Sequence, residues 1–162
     1  MERVIVMRIV VQRVTHASVK VQEQIIGEIQ QGFLALVGFQ NQDNELILQK
    51  MAEKVVHLRV FEDEQGKMNR ALPQLQKPSI LVVPQFTLYA DPSTGRRPSF
   101  TQAASPMIAA PFFQHFCNIL HEYQVHVQTG EFGADMQVNL TNDGPVTILL
   151  DSDNLFKTVN QK

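Results

Sequence analysis

Gly144-Pro145 is the feature that most constrains this fold, because it sits between two strand-like runs, Met136 to Leu140 and Val146 to Leu150. Proline cannot donate to a sheet ladder, so it does not belong inside a central strand. An X-Pro bond is also the one peptide bond that is cis at modest cost, roughly 0.5–1 kcal/mol. Glycine before it removes the Cβ clash that restricts a pre-proline residue. The bond is therefore expected to be cis, with backbone groups displayed in a geometry side chains cannot supply. The plainer reading is a hairpin turn, since Asn142-Asp143-Gly144-Pro145 is ordinary turn chemistry.

Other elements follow from periodicity. Val4 to Val14 reads as a strand, as do Ala17 to Val21, Ile25 to Ile29 and the glycine-bracketed run Gly32 to Gly38. Asn41 to Asp43 offers caps for a helix whose apolar face is Leu46, Ile47, Met51, Val55 and Leu58. A turn is expected at Gln65-Gly66 and a polar loop from Asp91 to Gly95. Ser105-Pro106 starts a second long helix, with an N-cap side chain and proline at the first position. Ile80 to Val83 is a short buried strand, and Val125 to Gln128 another. Many short strands and two long helices predict an α+β fold. Its core is a curved, mostly antiparallel sheet, barrel-like, with the helices packed on it.

At 162 residues the chain suits one domain. That domain is expected over residues 7–150, with an N-terminal extension at 1–6 and a loose polar tail at 151–162. The net charge of −2 supplies no global basic field, so DNA is not expected as a partner and RNA contact must be local. A single cysteine, Cys117, excludes an intrachain disulfide and fits a reducing cytosol. No apolar run approaches the roughly 20 residues that span a bilayer. His16, His57, His115, His121 and His126 are scattered, no ligand spacing suggests a metal, and no cofactor is expected.

Pro84-Gln85-Phe86-Thr87-Leu88 follows the buried run Ile80 to Val83, and with Asn142-Asp143-Gly144-Pro145-Val146-Thr147 it resembles the D-aminoacyl-tRNA deacylase family. That family shows Ser-Gln-Phe-Thr-Leu and Asn-x-Gly-Pro-x-Thr at these two sites. Met7 to Val14, Ala17-Ser18-Val19, Gly66 to Asn69, Arg97 to Phe100 and Gly133 to Met136 match in the family's order as well. Pro84 replaces the usual serine, a mark of the animal-type sister group, whereas Phe86 and Arg13 follow the main family.

The resemblance implies a barrel-like homodimer in which Gly144 and Pro145 of one subunit enter the other's site. It implies hydrolysis of the ester of D-aminoacyl-tRNA, and of mischarged glycyl-tRNA, in the cytoplasm. Gln85, Phe86 and Thr87 would surround the ester carbonyl, and no dedicated side-chain base is expected. Gly144, Pro145, Arg13 and Met136 would hold the aminoacyl end, and Arg96, Arg97 and Lys67 would meet the RNA near its 3′ end. Chirality would be read by exclusion, because an L side chain would strike the Gly-Pro backbone. Two alternatives stand beside this reading. One is an animal-type activity on a mischarged L-residue, and the other is a non-catalytic RNA- or protein-binding module.

Overall fold

A computed structural model describes residues 7–156. Arg8–Val21 forms one continuous strand, β1, followed by β2 (Gln24–Ile29) and β3 (Gly32–Gly38). The strand expected from Val4 thus starts at Arg8 among the described residues. Val4 to Val6 and the extension 1–6 lie outside them. Helix α1 (Glu45–His57) leads to the small hairpin β4 (Phe61–Glu62) and β5 (Met68–Arg70). Then come β6 (Ser79–Pro84), a 3-10 turn at Phe86–Tyr89, α2 (Pro106–Glu122), β7 (His126–Thr129), β8 (Gln137–Asp151) and a last short helix, α3 (Ser152–Leu155).

The main sheet runs β2-β1-β3-β6-β7, with β8 along the other side of β1. β1 is antiparallel to β2, β3 and β8, whereas β3 with β6 and β6 with β7 are parallel. The first half of β1 pairs with β3 and the second half with β2, so β1 bends the sheet round on itself. β2 in turn approaches β7: a Cβ on Gly27 would lie 2.9 Å from the carbonyl oxygen of Thr129. The sheet is therefore nearly closed, as the alternation of short strands predicts. Val14, Val19, Leu34, Leu81 and Val83 fill its interior, and Phe33, Met51, Val55, Phe116 and Leu120 bind the helices to its outer face. No helix among the described residues is long and apolar enough to cross a membrane.

Three local expectations need correction. The helix cap is Asn44, whose side chain accepts from the Ile47 amide at 3.0 Å, rather than Asn41 to Asp43. Ser105 occupies the N-cap position of α2 but makes no side-chain cap bond. Of the tail expected to be loose, 151–162, residues 157–162 lie outside the described ones, and Asp151 to Phe156 are held: Ser152 is buried, its hydroxyl accepts from the Met7 amide at 2.8 Å, and its own amide donates to the Met7 carbonyl at 3.0 Å.

Candidate active site

Gly144-Pro145 is cis, and it does not turn the chain back. Both flanks pair with the same strand, so the hairpin reading fails. Asn142 lies opposite Val14 and Thr147 opposite Gln12. Between those pairs β8 advances five positions while β1 advances two, leaving Asp143 to Val146 bulged out opposite Arg13. The buried Arg13 side chain donates from Nε to the Asp143 carbonyl at 3.1 Å and from Nη1 to the Val60 carbonyl at 2.6 Å. The Asn142 side chain accepts from the Val146 amide at 3.1 Å and donates to the Thr147 hydroxyl at 3.0 Å, closing the bulge from the other side. A Cβ on Gly144 would sit 3.1 Å from Arg13 Nη2, at a φ of +128° that side chains rarely adopt.

The other motif stands at the end of β6. Apolar residues, β-branched but for Leu81, carry the chain through the core from Ile80 to Val83, and Pro84 ends the strand. The Gln85 amide donates to the Val37 carbonyl at 2.8 Å, and the chain then makes the 3-10 turn. The Gln85 side chain donates from Nε2 to the Thr87 hydroxyl. Tyr89 closes the turn from below, donating its hydroxyl to the Gly38 carbonyl at 3.0 Å. Burial, helped by the charge of Asp43, pushes that phenol well above its ordinary range, so the donated proton stays in place.

Gln85 and Phe86 border a cavity of about 630 Å³. Phe39, Phe100, Phe132, Met136 and the start of α2 at Ser105 and Pro106 supply further walls. Phe86 and Phe100 meet edge to face, 5.1 Å between centroids, and both are exposed. None of the residues around the cavity carries a titratable side chain; its polar side chains are Gln85 and Ser105. Cys117, whose thiol burial pushes up to about 12, is a core residue and lies outside the lining. Among the described residues no group of three His, Cys, Asp or Glu could hold a metal ion.

The structure thus brings Gln85, Phe86 and Met136 to one cavity, with Thr87 next on the 3-10 turn but outside the lining. Arg13, Gly144 and Pro145 form a second assembly that does not line this chain's own cavity. Arg96 and Arg97 are exposed on the loop that the Asp91–Ser99 pairing closes, and Lys67 is exposed on the β4–β5 hairpin. Sequence reasoning did not single out Phe100, Phe132 and Ser105 as wall residues. Phe100 ends the Arg97 to Phe100 motif and Phe132 precedes the Gly133 to Met136 motif, so a signal was present.

Residues 10–151 match the profile of a family described as D-Tyr-tRNA(Tyr) deacylase. A D-aminoacyl-tRNA deacylase of Bacillus pumilus is 53% identical over 146 residues, covering 90% of this chain and 99% of its own. One from Thermus aquaticus is 51% identical, with 90% and 95% covered. Among solved structures, one titled c-Myc DNA Unwinding Element Binding Protein superposes with a TM-score of 0.82 at 40% identity, covering 88% of this chain and 97% of its own. A probable eukaryotic D-amino acid tRNA deacylase shares the fold, with a TM-score of 0.75 at 18% identity over 90% and 99% of the two chains. With the Gln85-Phe86-Thr87 turn at a cavity and the Gly144-Pro145 bulge braced by Arg13, these matches have one reading: the chain belongs to the D-Tyr-tRNA(Tyr) deacylase family.

Proposed function

We propose that this deacylase hydrolyses its ester in the cavity beside Gln85, Phe86 and Met136, and that it does so without a side-chain base. The observation that carries the reading is the absence of any titratable side chain from the cavity lining. The Thr87 hydroxyl fits the same picture, because its side-chain partner is the Gln85 amide, which cannot take a proton from it. An aminoacyl ester is already activated, so positioning and donors to the developing oxyanion suffice. The amides of Phe86 and Thr87 open a helical turn and therefore have no acceptor within it. They are suited to that carbonyl, with Gln85 holding Thr87. The exposed Phe86–Phe100 pair offers an aromatic face on which a terminal base can stack.

Chirality is read by the Gly144-Pro145 backbone. Because these residues stand apart from their own chain's cavity, the reading takes the protein as a homodimer whose sites are completed in trans. Arg96, Arg97 and Lys67 then meet the phosphates near the 3′ end, and the net charge of −2 leaves little hold on nucleic acid elsewhere. Glycyl-tRNA, with no side chain to exclude, is also a substrate.

The test compares D-Tyr-tRNA, L-Tyr-tRNA and Gly-tRNA as substrates of the purified chain. Hydrolysis of the first and third with the second spared supports the filter. Equal rates on D- and L-Tyr-tRNA would reject it. Phe86→Ala should lower turnover, and unchanged turnover would remove the cavity from the mechanism.

A further inference from the structure

Arg8 opens β1, and its side chain reaches the far end of the 3-10 turn. Nη1 donates to the Leu88 carbonyl at 2.9 Å, while Nε donates to Asp151 Oδ2 at 3.2 Å. The guanidinium carbon lies 5.1 Å from the centroid of the Tyr89 ring. The Arg8 amide donates to the Tyr89 hydroxyl at 3.1 Å. One residue thus makes four contacts to the turn and to the last residue of β8. The near end of the turn is fixed independently by the bond from the Gln85 amide to Val37.

We propose that Arg8 is a positioning residue for hydrolysis. By holding the Leu88 carbonyl while Asp151 orients its guanidinium, it sets where the Phe86 and Thr87 amides stand, and it ties the turn to β8, the strand that carries Gly144. The inference rests on reading the neighbouring cavity as the ester site. A merely stabilising role is the alternative. The Arg8–Asp151 pair is partly exposed, 40% and 24% for the two side chains, and such pairs contribute little to stability. Its removal should therefore spare the fold while moving the turn.

The experiment measures kcat and KM on D-Tyr-tRNA, with Tm alongside, for the full chain and for Arg8→Met, Arg8→Lys, Asp151→Asn and the Arg8→Met/Asp151→Asn double variant. Arg8→Met should lower kcat roughly tenfold or more, since small misplacements at a reacting centre are costly. KM should stay within about twofold, the signature of a loss felt in the transition state. Arg8→Lys keeps one donor for Leu88 and should recover most of the rate. Asp151→Asn should lower kcat less than Arg8→Met, and the double variant should be no slower than Arg8→Met alone, because Asp151 acts through Arg8. Unchanged kcat in Arg8→Met, or multiplying losses in the double variant, would overturn the proposal. Should Arg8→Met not fold, unchanged kcat in Asp151→Asn overturns it equally. A wild-type chain that spares D-Tyr-tRNA would instead defeat the cavity reading itself.

Discussion

Arg13 Nε donates to the carbonyl oxygen of Asp143 at 3.1 Å, and the same guanidinium spans to the carbonyl of Val60 at 2.6 Å. A buried arginine on β1 therefore holds the main chain immediately before Gly144. The planar guanidinium presents separate, rigidly placed donors to the two carbonyls, where a lysine would offer one mobile ammonium.

Arg13→Gln should loosen the bulge rather than the substrate pocket. Losing charged bonds at a buried site costs about 1–3 kcal/mol of stability. Rates on D- and L-Tyr-tRNA should converge, mainly through a rise in L-Tyr-tRNA hydrolysis. A variant that folds, loses both rates equally and keeps its D preference would show that Arg13 does not set the filter.

Thr87→Ala should leave measurable D-Tyr-tRNA hydrolysis, because the hydroxyl accepts from the Gln85 side chain and no titratable side chain lines the neighbouring cavity. Single-turnover assays of the folded variant decide this. Complete loss of turnover with tRNA binding intact, or an acyl group trapped on Thr87 in the wild type, would establish covalent catalysis instead.

Asp43 predicts a pH dependence of stability. Its Oδ2 accepts from the Gln40 amide at 2.7 Å, while Oδ1, buried, has no partner among the described residues. Burial raises its pKa from the ordinary 3.8 to about 6, only partly offset by the Gln40 bond. The folded state thus favours the protonated acid. Its contribution is complete below the unfolded value and is lost as pH rises through about 6, by on the order of 2–3 kcal/mol. Denaturant midpoints should fall between about pH 4 and pH 6 and level off above, and Asp43→Asn should flatten that slope. Asp63 and Asp91, whose pKa values hydrogen bonds lower, titrate beneath that window. An equal slope in Asp43→Asn would exclude the assignment.

The strands were legible where packing writes itself into composition. β3 was read at its bounds because it is apolar throughout and bracketed by glycines, and Gly32 is required there: a Cβ would lie 2.0 Å from the Ser79 carbonyl oxygen. The bulge was not, because periodicity cannot say whether a chain reverses at Gly-Pro; only pairing of both flanks with β1 decides it. The docking of Ser152 on Met7 was hidden for a related reason, since a polar residue satisfied by a distant backbone looks like any tail residue. The cavity draws Phe39, Gln85, Phe100, Phe132 and Met136 from separate elements, and nothing in local sequence measures those distances.

The shared-site reading makes the sharpest prediction, through subunit mixing. Thr87→Arg should obstruct the cavity of the chain that carries it. Gly144→Val should spoil the bulge its chain presents, since a Cβ there meets Val146 at 2.8 Å and Arg13 at 3.1 Å. Each homodimer is then defective at both sites. In a mixed dimer assembled in trans, the blocked cavity faces the spoiled bulge, and both lesions fall on one site. The other site pairs an intact cavity with an intact bulge. Mixing the two inactive variants should restore D-specific hydrolysis, up to one working site per heterodimer, or about a quarter of the wild-type rate after random exchange, half the dimers being mixed with half their sites intact. If each site is built from one chain, every site in the mixture keeps a lesion. No recovery after verified heterodimer formation would therefore place the Gly144-Pro145 filter in its own subunit.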